Sequence, residues 1–162
     1  MSRPRTAFSI GLGSAILLAA CATGTTNVPA TKLLDLINQK RAEAGCPPVA
    51  GNDKLRVAAE RHVLDMLNNK AHLQTGTDGH TGTDGSRPQN RIADAGYAAS
   101  ATGEIIYWSD VPSDEVKNVD WWMNSPDHKK IMLNCSYKNA GVGLLYPGGT
   151  KWYSVVDFAS PL

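Results

Sequence analysis

Three cysteines constrain this chain more than any other feature, because their positions imply different fates. Cys21 closes an uncharged, mostly apolar run, Ala7 to Ala20, that follows Arg3 and Arg5. A short basic stretch, then an apolar run too short to span a bilayer, then small and polar residues form the pattern of a cleavable export signal. Leu18-Ala19-Ala20-Cys21 is similar to the bacterial lipobox, where cleavage falls before the cysteine and the thiol then carries a diacylglycerol. A plain secretory site at Ala20-Cys21-Ala22 is the alternative. The expected organisation is a lipoprotein signal peptide at 1–20, a tether at 21–30 and one folded domain at 31–162. The mature protein is then exported and held at a membrane through Cys21, or secreted.

Export leaves Cys46 and Cys135, 89 positions apart. Outside the cytosol such a pair reads as one disulfide. Closing so long a loop contributes about 4 kcal/mol in the chain-entropy model. Two separate buried thiols are the alternative, and a cysteine nucleophile would need a thiol that pairing removes. Hydrophobic residues at 42% and charged residues at 19% supply enough apolar material for a core, which excludes wholesale disorder. A net charge of +1 requires no strongly basic face, so no nucleic-acid partner is expected.

Periodicity predicts a helix over 31–44, with Leu33, Leu34, Ile37, Arg41 and Ala44 on one side and Gly45 as its stop. A second helix over 53–70 carries Leu55, Ala58, Ala59, His62, Val63, Met66 and Leu67 as one stripe, capped by Asn52 or Asp53. Residues 71–86 are loop, with Gly-Thr-Asp-Gly twice around His80-Thr81. A short helix follows, capped by Ser86, with Pro88 in its first turn and Gly96 at its end. Residues 103–109 read as a buried strand. A helix from Ser113-Asp114-Glu115 turns Val116, Val119, Trp122 and Met123 inward, and Ser125-Pro126 caps a last short helix through Met132. AGVGLLYP and KWYSVVDF, separated by Pro147 to Thr150, form a C-terminal β-hairpin. The class is α+β, with helices on the faces of a small sheet.

In order, the segments Leu55 to Met66, His80 with Asp84-Gly85 and Arg91, Gly96-Tyr97, Gly103-Glu104-Ile105-Ile106, Trp122 to His128, Gly141 to Gly143 and Trp152 to Phe158 resemble a known family. These are the cysteine-rich secretory, antigen 5 and pathogenesis-related 1 proteins, the CAP or SCP-like family, in its bacterial branch. The resemblance covers about 31–160. It implies an α-β-α sandwich with a small antiparallel sheet, and a cleft holding two histidines and two acids. His80, Glu104 and His128 match three of those four. The fourth position is Ser125, and the asparagine after the glutamate is Ile105.

Two imidazoles and a carboxylate suit zinc or another divalent metal, which makes His80, Glu104 and His128 candidate ligands. The same three are the candidate catalytic groups, with an imidazole as base and Glu104 as acid. A hydrogen-bonded cluster that orders loops is the plainer reading. Ser125 reads as a helix cap rather than a nucleophile, since no Gly-x-Ser-x-Gly elbow surrounds it. The 78–84 loop is a poor calcium loop, with His80 and Gly82 where oxygen ligands belong. His62 reads as packing, and His72 carries no role. Trp122 reads as core, leaving Trp108, Trp121 or Trp152 to line a groove. The expected function is binding rather than catalysis, of a small hydrophobic ligand such as a sterol or fatty acid, or of an extracellular protein or peptide. A metal-assisted hydrolase of peptide or cell-envelope material, and a structural envelope protein with a vestigial site, are the alternatives.

Overall fold

The computed structural model describes residues 28–70, 78–147 and 149–162. The export signal, Cys21, most of the tether and His72 lie outside them. In chain order the elements are α1 (Val28–Glu43), β1 (Ala50–Gly51), α2 (Asp53–Asn68), α3 (Pro88–Asp94), β2 (Ala99–Ser109), α4 (Glu115–Asn124), α5 (Pro126–Met132), β3 (Asn139–Leu145) and β4 (Trp152–Pro161). The sheet runs β1-β3-β4-β2. The expected hairpin is β3–β4, and β2 lies antiparallel on the other side of β4, placing Glu104 opposite Asp157. The sheet is mixed rather than purely antiparallel, because the two residues of β1 pair in parallel with Asn139 and Ala140.

Alternation along the strands builds the three layers. Val142, Leu144, Val156, Phe158 and Ile105 join Leu33 and Ile37 of α1, Trp122 of α4 and Met132 of α5 in one core. On the opposite face Tyr153 and Val155 meet Ala59, Val63 and Met66 of α2, and Ala159 meets Leu55, Ala58 and Ile92. The α2 stripe is buried as expected, with Asn52 accepting from the Lys54 and Leu55 amides as its cap. On α4, Val116 is exposed rather than inward, since Trp122 and Val119 already fill that side. The short helix α3 starts from Arg87, not Ser86; the Arg87 amide donates to Asn90 Oδ1. Ser86 instead offers its carbonyl to Gly82 and to Arg91.

Two joints fix the layers. Cys46 and Cys135 form the disulfide, with Cα atoms 4.9 Å apart, tying the end of α1 to the segment after α5. Beside it the buried Arg41 donates to the carbonyls of Pro47, Met132, Asn134 and Tyr137. Burial lowers the Arg41 pKa, and these four acceptors spread its charge along the same seam. The second joint is Gly141-Val142-Gly143. A methyl group on Gly141 would lie 2.1 Å from the backbone of Leu55 and Arg56, and one on Gly143 would lie 2.5 Å from the Ala59 carbonyl. Only glycine lets the α2 backbone rest on β3 at this separation.

Gly141→Ala is therefore expected to destabilise the domain by at least about 3 kcal/mol, the upper part of the overpacking range, because backbone cannot yield as a flexible side chain does. Gly51→Ala, where the added methyl meets Leu34 at an ordinary 3.6 Å, should cost under about 0.5 kcal/mol. Urea unfolding of the two variants checks this; equal midpoints would contradict the close-approach account.

Candidate functional site: an aromatic cleft backed by a buried ion cluster

The edge strand β2 brings Glu104 to the α2 side of the sheet, where the carboxylate is almost fully enclosed. Both its oxygens are used. Oε1 lies 2.8 Å from His80 Nδ1, and Oε2 accepts from Arg91 Nη2 at 2.7 Å. The same Arg91 holds the turn that carries His80, donating to the carbonyls of His80 and Ser86. His62 of α2 closes the cluster, with Nε2 against the Gly79 carbonyl at 2.9 Å and 3.9 Å from Glu104 Oε1. His62 is thus more than packing, because it anchors the 78–86 turn from below.

Charge follows from these contacts. Burial pushes the Glu104 carboxyl up, but the His80 hydrogen bond and the positive charge around it bring it net below the ordinary range. Glu104 is therefore an ionised acceptor and His80 Nδ1 is the donor. Burial lowers the His62 pKa, which keeps that ring neutral. Its Nε2–H donates to Gly79, so its Nδ1 is a bare acceptor. Opposite Glu104, Asp157 is fully buried, and neither carboxyl oxygen has a hydrogen-bond partner among the described residues. Burial first, then the Glu104 charge, pushes the Asp157 carboxyl well above the ordinary carboxylate range.

His80 faces a cleft of about 380 Å³ that runs along the β2 edge, lined by Ile106, Tyr107, Trp108, Trp121 and His128. Tyr107 and Trp121 have ring centroids 5.4 Å apart, and His128 meets the Trp121 edge at 4.9 Å. Trp121 is 47% exposed. Of the tryptophans left to line a groove, Trp108 and Trp121 do so, whereas Trp152 is core, with its Nε1–H donating to Asn118. Lys70 ion-pairs with Asp110 and lies 5.3 Å from the Trp108 ring. Ser125 occupies the cap position of α5 but makes no cap bond there; its hydroxyl lies 2.7 Å from His128 Nδ1 and orients that ring instead. Burial, then nearby His80, lowers the His128 pKa.

The structure brings His80 and Glu104 into contact and sets His128 in the same cleft. It does not arrange them as a metal site: among the described residues no group of three or more His, Cys, Asp or Glu is placed to hold an ion. Glu104 has no free oxygen for a metal, and Arg91 sets a guanidinium against it. The donors present do not fit the three-ligand zinc centre expected of His80, Glu104 and His128. Asp78 and Asp84 cap their own turn through the His80 and Ser86 amides, as a poor calcium loop should. Arg91 and Asp157 were not singled out as site groups by sequence reasoning. The available signals are an arginine beside Ile92 in the short segment PQNRIAD and one acid within KWYSVVDF.

The sequence pattern of the cysteine-rich secretory protein family matches residues 34–158, and the chain belongs to that family. It is 28% identical over 130 residues to the uncharacterized protein YkwD of Bacillus subtilis, a match covering 76% of this chain and 48% of that one. The chain thus spans about half the length of this relative. An outer surface protein of Borrelia burgdorferi shares the fold, with a TM-score of 0.73 at 23% identity over 85% of this chain and 96% of that one. NaASP2, crystallised with Zn2+, also shares it, with a TM-score of 0.52 at 15% identity over 85% and 82% of the two chains. Among the described residues no helix is long and apolar enough to cross a membrane.

The charge assignment sets opposite pH signatures. His62 and His128 have folded pKa values below 6.5, so their contribution to stability is complete above that pH and is lost as pH falls. Asp157 has a folded pKa above 3.8, so its penalty is absent at lower pH and grows as pH rises. The melting temperature of Asp157→Asn relative to wild type should therefore climb between pH 4 and pH 7. Arg91→Met, which strands the buried Glu104, should cost about 3–5 kcal/mol at pH 7. Calorimetry across this range checks both; an Asp157→Asn difference that falls with pH would contradict the upward shift of Asp157.

Proposed function

We propose that this domain is an exported binding module whose aromatic cleft takes a small, largely apolar ligand. The observation that carries the reading is the lining of the cleft: Ile106, Tyr107, Trp108 and Trp121 form its walls, while Glu104 is sealed behind His80 with both oxygens engaged. Apolar walls with a few placed polar groups are the ordinary composition of a small-molecule pocket. Sterols and fatty acids, expected from the family resemblance, suit such walls. Metal-assisted hydrolysis has less support, since the donors do not assemble around one point. Anchoring through a lipid on Cys21 completes the reading. It rests on Leu18 to Cys21 following an uncharged apolar run, and two acyl chains suffice for stable attachment.

One preparation series tests both halves with full-length protein and its Cys21→Ser and Trp121→Ala variants. Wild type should partition with membranes and Cys21→Ser should not; equal partition overturns the anchor. Oleate and cholesterol serve as probes for the cleft. At 100-fold excess over Kd, either should stabilise the wild-type domain by about 2.7 kcal/mol, and Trp121→Ala should lose most of this. No stabilisation by either probe, or an unchanged response in Trp121→Ala, overturns the cleft reading.

A further inference from the structure

The apolar walls of the aromatic cleft leave open which head group its ligand carries, and two lining imidazoles, His80 and His128, bear on that choice. Each ring has one nitrogen committed within the protein. His80 Nδ1 donates to the enclosed Glu104 at 2.8 Å, and His128 Nδ1 lies 2.7 Å from the Ser125 hydroxyl. The remaining nitrogen of each ring, Nε2, has no hydrogen-bond partner among the described residues. The side-chain nitrogens buried there without a partner belong to His62, Arg91 and Asn118, so neither Nε2 is buried. The His80 side chain is 35% exposed and its Nδ1 edge faces the closed side, which leaves Nε2 as its polar atom open to the cleft.

Charge narrows the choice of head group. Glu104 is sealed with both oxygens engaged, so it offers nothing to a cationic head. A carboxylate head finds no unpaired cation either. Arg91 is committed to Glu104, and Lys70, beside Trp108, is paired with Asp110. Burial holds the His128 pKa below the ordinary imidazole value, which disfavours a cation at that ring. An ion taken from water without a partner costs far more than an uncharged group. What the cleft presents is an acceptor, because a neutral His80 ring that donates from Nδ1 carries its lone pair on Nε2.

We propose that the cleft selects an uncharged amphiphile with a free hydroxyl, such as a long-chain alcohol or a monoacylglycerol, and that His80 Nε2 accepts the hydrogen bond of that hydroxyl. Glu104 acts here as a positioning residue: by holding the Nδ1 proton it fixes the acceptor edge of His80 toward the ligand. The inference rests on the apolar-ligand reading of the cleft and narrows it, placing hydroxyl heads ahead of carboxylates.

The probes are 1-decanol and its methyl ether, which share a tail and differ in the hydroxyl proton. Isothermal titration at pH 8 measures both on the full-length protein, wild type and His80→Asn. The asparagine amide keeps a donor near the Nδ1 position for Glu104 and removes Nε2. The ether is the more apolar probe, so the walls alone favour it equally in both proteins. The affinity for decanol relative to the ether should therefore fall about fivefold in His80→Asn, the yield of one hydrogen bond. The His80 Nε2 15N resonance of the wild type gives a second reading: it should move saturably with decanol and stay in place with the ether. An unchanged affinity ratio overturns the head-group assignment and leaves the apolar cleft standing. So does an Nε2 resonance that bound decanol leaves in place or that both probes move equally. If neither probe binds, the cleft reading fails and this proposal fails with it.

Discussion

A single buried carboxylate, Glu104, organises the functional end of this molecule. It is held by Arg91 on one oxygen and His80 on the other, from positions 13 and 24 residues away in sequence. A charge so enclosed is tolerated only when it is fully paired. Arg91 meets that demand and in doing so fixes two further carbonyls, those of His80 and Ser86. The 78–86 turn thereby becomes the rigid wall of the aromatic cleft. His62 supports the same turn from α2. The ion pair therefore acts mainly as a positioning device: the carboxylate that looks like a ligand or an acid in the sequence serves as the keystone of a loop.

That arrangement depends in turn on how closely the layers approach. His62 reaches the cluster because α2 lies backbone-to-backbone on β3, and this contact exists because positions 141 and 143 lack a Cβ. On the far side, the Cys46–Cys135 bridge and the carbonyl-bound Arg41 hold α5, and with it His128, against the end of α1. The cleft is open along the β2 edge because the strand has no outer neighbour there among the described residues; side chains take some of the exposed acceptors, with Trp122 donating to Ile106 and Tyr137 to Thr102.

Much of this frame was legible in the sequence, and the reasons differ by element. The α2 stripe and the hairpin announce themselves because a one-sided core imposes a period on the chain. Strand β1 does not: its two exposed residues pair only through backbone, which leaves no side-chain pattern. Ser125 before a proline looks like a cap by local rules, yet its hydroxyl turns to His128. His80, Glu104 and His128 were identifiable as candidates from motif order. Whether they share an ion was not, because that depends on what else reaches the carboxylate, and Arg91 gives no sign in sequence of its partner. Asp157 shows the same limit. Its place in an apolar strand indicates burial, but only the register of β2 on β4 sets it opposite Glu104.

The central claim is that Glu104 is an ionised hydrogen-bond acceptor committed to His80 and Arg91, not a metal ligand. Histidine-ring 15N NMR at pH 7, with and without millimolar zinc, tests it most directly. The account predicts a protonated His80 Nδ1 with a downfield, carboxylate-bonded proton that persists when zinc is added. A bare His80 Nδ1, or a His80–Glu104 signal that zinc abolishes together with that of His128, would contradict it.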